Sequence, residues 1–181
     1  MNINILKIEE TIDYLLLKKG ELVAMSYKID HPGLISHLLA AGRLVAVVPA
    51  GHPLAGQREI SLADLAAHPL IGIDPTDPYG RILAAPFAEH GLPFELAIQA
   101  RFAQTVNALV AANLGVAVLD EFSMAAHETP GVAVRPIVEP TSFKTYGVVN
   151  AEVSRSIFAD ELVELLKHEM HHAVATRGRR N

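Results

Sequence analysis

Between Arg43 and Ile73 the chain reads RLVAVVPAGHPLAGQREISLADLAAHPLIGI, a segment whose local chemistry fixes the order of its elements. Arg43 to Val48 is an apolar, largely β-branched run suited to a strand. Pro49 and Pro53 lack N–H donors and Gly51 loosens the backbone, so ladder pairing stops there. Ser61 then stands as a helix N-cap with Asp64 three positions on, a short-armed capping box, and Leu62, Leu65 and Ala66 form the apolar stripe of the helix. His68-Pro69 ends it, because the residue before a proline is pushed out of the α region. Leu70 to Ile73 resumes as a short buried strand.

The same alternation extends in both directions. Ile3 to Ile8 reads as a strand, Glu9 to Lys19 as a helix with Ile12, Leu15 and Leu16 on one face and Gly20 as its stop, and Leu22 to Tyr27 as the next strand. Beyond Ile73 the pattern predicts helix Pro78 to His90, strand Phe94 to Ala100, helix Ala103 to Asn113 and strand Val116 to Leu119. A short helix Glu121 to His127, strands Val132 to Val138 and Thr145 to Asn150, and a helix from Ser154 to His171 complete it. Asp77 is placed to cap the helix that Pro78 opens. Pro86 deletes the bond to the Ile82 carbonyl, which predicts a kink or break near Ala84 to Phe87. The small, basic tail from Ala173 is expected to fray. Apolar strands alternating with amphipathic helices argue for an α/β layer structure with largely parallel, buried strands.

Composition narrows what such a layer structure does. With 181 residues and 50% hydrophobic content, the chain can bury one large or two small cores. A net charge of −5 lacks the basic footprint of a phosphate-binding protein, so nucleic acid is not expected to be gripped by this chain itself. Without cysteine there are neither disulfides nor thiolate metal sites, which suits a reducing, cytoplasmic setting. MNINILKIEE lacks the basic start and cleavage site of a secretion signal, and the apolar stretch Ala108 to Leu119 is too short and too interrupted to span a bilayer.

The order of these pieces, with the Pro-Ala-Gly-His-Pro-Leu exit, resembles the effector-binding domain of LysR-type transcriptional regulators, where a like VVP..HPLA strand leads into ISLADLAAHPLI. Leu109 to Asp120, LVAANLGVAVLD, is similar to that family's helix-Gly-strand element, with Asn113 where glycine is usual. Lys18 to Tyr27, KKGELVAMSY, is similar to its L..GELDLAI strand, with Val23 in place of the frequent Asp. The resemblance covers Ile3 to Glu169. It implies an α/β, two-lobe periplasmic-binding-protein-like (type 2) fold, each lobe a mainly parallel sheet flanked by helices, with two crossover strands near Leu44 to Val48 and Thr145 to Val149. On that map residues 1-46 and 148-181 form lobe one and 47-147 lobe two. The family's winged helix-turn-helix, linker helix and first strand and helix of lobe one have no counterpart here, so the resemblance implies a truncated gene or fragment. In flavodoxin-like order Ile3 to Ile8 and Leu22 to Tyr27 would then flank an open slot.

The resemblance further implies a small-molecule metabolite effector in the cleft between lobes, no cofactor and no catalysis. Ligand-linked closure would act by population shift in a homodimer or homotetramer, and DNA would be contacted only through a winged helix-turn-helix absent from this chain. Candidate effector contacts are Glu10 and Thr11, at a strand-to-helix junction where free N–H groups gather, although simple helix capping accounts for them equally. Lys28 aligns with a position that is a cation in some family members, with a solvated lysine as the other reading. Asp74, Thr76 and Tyr79 lie in a loop feeding a helix, and Phe102, Gln104 and Thr105 in the next such loop and first turn. Asp74 also reads as a cap and Phe102 as core.

His168-Glu169-Met170-His171-His172 matches H-E-x-x-H, two imidazoles one turn apart with an acid between. Nothing downstream supplies a third ligand, since no Asp, Glu or His follows His172. No metal site is therefore assigned: the pentad reads first as a solvated helix end whose imidazoles meet the helix dipole, then as incidental metal binding, and a zinc-dependent hydrolase using His168 and His172 is the least favoured of the alternatives. A solute-binding protein of the same two-lobe shape is the nearer one, opposed by the missing secretion signal and the His-Pro-Leu exit. His52 and His68, each before a proline, read as turn or surface residues.

Overall fold

A computed structural model describes residues 8–125, 129–154 and 156–178. Its elements run α1 (Ile8–Leu16), β1 (Val23–Met25), β2 (Leu34–Gly42), β3 (Leu44–Pro49), a 3-10 turn (Pro53–Gly56), α2 (Leu62–Ala66), β4 (Leu70–Gly72), α3 (Pro78–Glu89) and β5 (Leu96–Gln99). Then follow α4 (Ala103–Ala111), β6 (Ala117–Asp120), α5 (Glu121–Ala125), β7 (Val132–Pro136), β8 (Phe143–Asn150) and α6 (Ile157–Gly178). They sort into two compact units, Met1–Ala41 with Lys144–His172 and Gly42–Phe143 with Ala173–Asn181.

The second unit holds the larger core. β4 and β5 pair in parallel, Leu70 opposite Leu96 and Gly72 opposite Gln99. A parallel bridge between Leu70 and Val116 carries the sheet to β6, and β3 lies antiparallel to both β6 and β7. Four of its five strands therefore share one direction, and β3 alone runs against them. β3 is buried at every position, as a strand between two neighbours with both faces covered must be. Val47, Val48, Leu65, Leu83, Phe87, Val106 and Leu119 are fully buried around it. The capping box forms as predicted: Ser61 Oγ accepts from the Asp64 N–H at 3.0 Å, and an Asp64 carboxylate oxygen accepts from the Ser61 N–H at 3.4 Å. Glu139 reinforces the same helix end by accepting from the Leu62 N–H at 3.0 Å.

In the first unit the sheet order is β1-β8-β2, with β1 and β8 antiparallel. α1 buries Leu15 against Ile29, Leu34 and Val148. Glu21 accepts from both the N–H and the hydroxyl of Ser156, at 3.2 and 2.5 Å, and Ser156 Oγ in turn accepts from the Ala159 N–H at the start of α6. These two bonds hold the Glu21 carboxyl below its ordinary range.

Several expectations change. The predicted strand from Ile3 lies outside the described residues apart from Ile8, which already belongs to α1. That helix ends at Leu16 rather than Lys19, because Lys18 takes the left-handed conformation (φ 57°). Lys19 N–H then donates to the Tyr14 carbonyl and Lys18 N–H to Leu15, a Schellman closure. Asn113 (φ 60°) and Gly91 (φ 66°) close α4 and α3 in the same way, so Asn113 fills the glycine role by tolerating that conformation. α3 runs through Pro86 without a break. α6 continues past the expected fraying point to Gly178, since no glycine or proline interrupts it earlier.

His52 and His68 are half-buried, their rings meeting edge to face with centroids 4.6 Å apart. His52 Nδ1 accepts from the Leu54 N–H at 3.2 Å. Burial, and then the neighbouring His68, lower the His52 pKa. A folded-state pKa below that of the unfolded chain means that the unfolded chain binds more protons, so stability falls as pH drops through about 6.5. Denaturant titrations between pH 7.5 and 5.5 are expected to show this loss, and His52→Gln to flatten it.

Candidate functional site

Because β4, β5 and the start of β6 run in parallel, the loops leaving their C-terminal ends emerge along one edge of the second unit. The Ala100 N–H donates to the Gly72 carbonyl at 2.8 Å and fixes the first two exits side by side. Six of the predicted residues sit on those exits.

Asp74 and Thr76 hold each other. The Asp74 carboxylate accepts from the Thr76 N–H at 2.8 Å and from its hydroxyl at 2.7 Å, and these bonds lower its pKa. Asp77 caps α3 by accepting from the Tyr79 N–H at 2.9 Å, with Pro78 at the first helical position. The Tyr79 hydroxyl turns inward and donates to Asp120 Oδ2 at 2.5 Å, while its ring meets Phe143 edge on at 5.9 Å. Burial, then the Asp120 carboxylate, push this phenol far above its ordinary pKa, so it remains a donor. Tyr79 is thus a brace for the edge, whereas Phe102, Gln104 and Thr105 are exposed upon it. Phe102 is the N-cap residue of α4 and supplies no side-chain bond, leaving that helix end without a side-chain cap.

Two acids that sequence reasoning passed over complete the edge. Asp120, only 2% exposed, accepts from Tyr79 and also from the Ser123 N–H (2.8 Å) and hydroxyl (2.6 Å). Glu121, 7% exposed, accepts from the Arg43 N–H at 2.8 Å, and its own N–H donates to the Arg43 carbonyl at 3.1 Å. The Arg43 guanidinium, largely in solvent, lies 3.9 Å from the same carboxylate. Beside them the Leu44 N–H donates to Thr141 Oγ1 at 3.0 Å. The start of β3 is thereby locked to the end of β6. The available signal was position, since Asp120-Glu121 stands where a strand hands over to a helix.

In the first unit Glu10 is exposed on α1, Thr11 is 2% exposed on the same helix, and Lys28 is exposed in the loop after β1. A cavity of about 170 Å³ in this unit, between Leu15, Lys18, Glu21 and Asn150, contains none of the three. Of the H-E-x-x-H residues on α6, His168, Glu169, His171 and His172 are exposed and Met170 is half-buried. Among the described residues no three His, Asp or Glu side chains are grouped to hold a metal ion, so a closed zinc site has no third ligand here. No helix of the described residues is long and apolar enough to cross a membrane.

Comparison with known proteins identifies this arrangement. Residues 10–171 match the LysR substrate binding domain family. The transcriptional regulator CatR of Pseudomonas putida is 34% identical over 104 residues, covering 56% of this chain and 36% of that protein. The crystal structure of HinK, a LysR family transcriptional regulator from Pseudomonas aeruginosa, superposes with a TM-score of 0.77 at 20% identity, covering 90% of this chain and 57% of that one. The BenM effector binding domain with its effector benzoate gives 0.74 at 21% identity, covering 96% and 78%. The fold is accordingly the type 2 periplasmic-binding-like fold of LysR effector-binding domains. The chain spans 29% and 36% of the length of two curated relatives it matches. With most of its length matched, the chain belongs to the LysR substrate binding domain family.

Proposed function

We propose that this chain is the small-molecule effector-binding regulatory domain of a LysR-type transcriptional regulator. The supporting observation is the edge of the second unit, where Phe102, Gln104 and Thr105 stand exposed at an uncapped helix start and Tyr79 is tied to Asp120. A related fold, the BenM domain, is solved with the small aromatic acid benzoate, which suits an exposed ring beside helix N–H donors. Lobe one, residues 1-46 and 148-181, would offer Glu10 and Lys28 to the ligand, lobe two being 47-147; Thr11, at 2% exposure, is a buried helix residue and not a contact. Asp74 and Thr76 would shape the loop rather than grip the ligand, since they already satisfy each other.

On this reading no bond is made or broken. Effector binding shifts an equilibrium between open and closed lobes, and inverting a 1:99 ratio needs about 10⁴-fold tighter binding to the closed form. The domain works in the cytoplasm within a homodimer or homotetramer, and DNA is contacted by a winged helix-turn-helix outside this sequence. A panel of small carboxylates and neutral metabolites, read by thermal unfolding of the chain, tests it. A ligand at 100 times its Kd is expected to add about 2.7 kcal/mol of stability. Gln104→Ala and Thr105→Val are each expected to weaken that ligand about tenfold by removing one hydrogen bond. A ligand whose affinity ignores both substitutions, or a panel that binds nowhere, contradicts the reading.

A further inference from the structure

We propose that His168 and His172 form a two-histidine chelate for a borderline divalent transition ion on the exposed surface of α6, a site separate from the effector edge and independent of the function proposed above. The two residues are one turn apart, and their rings lie parallel (3°) with centroids 6.2 Å apart. Residues four apart on a helix share a face, so both imidazoles project to the same side. Stacked rings present faces rather than lone pairs to each other, so bridging an ion at the usual Zn–N distance of about 2.0–2.1 Å requires both imidazoles to rotate until a nitrogen of each points at the ion. His168, with 75% of its side chain exposed, has the room to do so.

A carboxylate also stands beside one of the rings. Glu169 Oε1 lies 3.4 Å from His168 Nδ1, and a proton on that nitrogen would leave the Nε2 lone pair for a metal. His171 differs. Three residues from His168, it lies on the same side of the helix, but its Nδ1 is engaged in donating to the Lys167 carbonyl at 2.6 Å. Two imidazoles without thiolates suit Ni²⁺, Cu²⁺ or Zn²⁺ over Mg²⁺ or Ca²⁺, the remaining coordination positions going to water. Such an ion would clamp one turn of α6 and stabilise it; it would not be a catalytic centre, since among the described residues no third side chain joins it.

Titrating NiCl₂ or ZnCl₂ into the full chain by calorimetry in a non-coordinating buffer tests the assignment. The expected result is one ion per chain. His168→Asn and His172→Asn should each lower affinity on the order of 100-fold, because one arm of a chelate is lost. Glu169→Gln should lower it about tenfold through the lost orientation. His171→Asn, at a ring whose Nδ1 is already engaged by the Lys167 carbonyl, should lower it far less than His168→Asn or His172→Asn. Circular dichroism of each variant confirms that α6 persists, and MgCl₂ should give no heat. Absence of binding, or binding that survives both His168→Asn and His172→Asn, overturns the proposal. Neither result bears on the effector edge, whose test uses different residues and ligands.

Discussion

Gly80→Ala is expected to destabilise the chain by about 3 kcal/mol and to deform the loop that carries Asp74 and Thr76. Gly80 lies in the first turn of α3, and a Cβ there would stand 2.0 Å from the Asp74 carbonyl oxygen and 2.7 Å from that of Ile73. Both obstacles are backbone, so relief requires α3 to lift away from the end of β4. That movement would draw Tyr79 from Asp120 and carry the 74–77 loop with it. Chemical denaturation measures the first effect, and loss of effector affinity beyond that of Gln104→Ala measures the second. Gly72→Ala is the contrast: the new Cβ would come 2.8 Å from a Leu96 side-chain carbon, which can turn aside. It should cost visibly less.

Asp120→Ala is expected to cost about 3–5 kcal/mol, because three donors converge on that buried carboxylate and one of them, Tyr79, is left without its acceptor. The cap on α5 is lost at the same time, through the Ser123 N–H. Tyr79→Phe should cost about 1.5–3 kcal/mol, since the carboxylate keeps both Ser123 bonds. The double variant should be less destabilised than the sum of the two, as contacting partners require. Full additivity in denaturant titrations would mean that the 2.5 Å bond between them contributes nothing to stability.

What the sequence disclosed follows the range of the interaction responsible. The Ser61 capping box and the Asp77-Pro78 helix start span a few residues each, and both stand as read. β2 was not visible, because Ile35 and Leu38 remain near half exposed while Leu34, Leu39 and Ala40 are buried, which destroys period-two alternation. The end of α1 was misplaced because a lysine, not the nearby glycine, adopts the left-handed turn. Of the kink or break that Pro86 predicts, the break does not occur: Pro86 is buried within α3, where packing of Leu83 and Phe87 in the core outweighs one missing hydrogen bond. The six residues chosen for the second unit are brought to one edge by the parallel order of strands that the strand-helix alternation implies, while family resemblance singled out their two loops. Their division into braces and exposed groups was not legible. Tyr79 meets an aspartate 41 positions away, and Glu121 binds a backbone 78 positions away, so no local pattern announces either.

Hydrogen–deuterium exchange of the chain with and without a bound effector tests the central claim most directly. The account predicts simultaneous protection of peptides carrying Tyr79 and Phe102 to Thr105 and of peptides carrying Glu10 and Lys28. Protection confined to one of the two units, or falling on neither set, would contradict a ligand enclosed by both lobes.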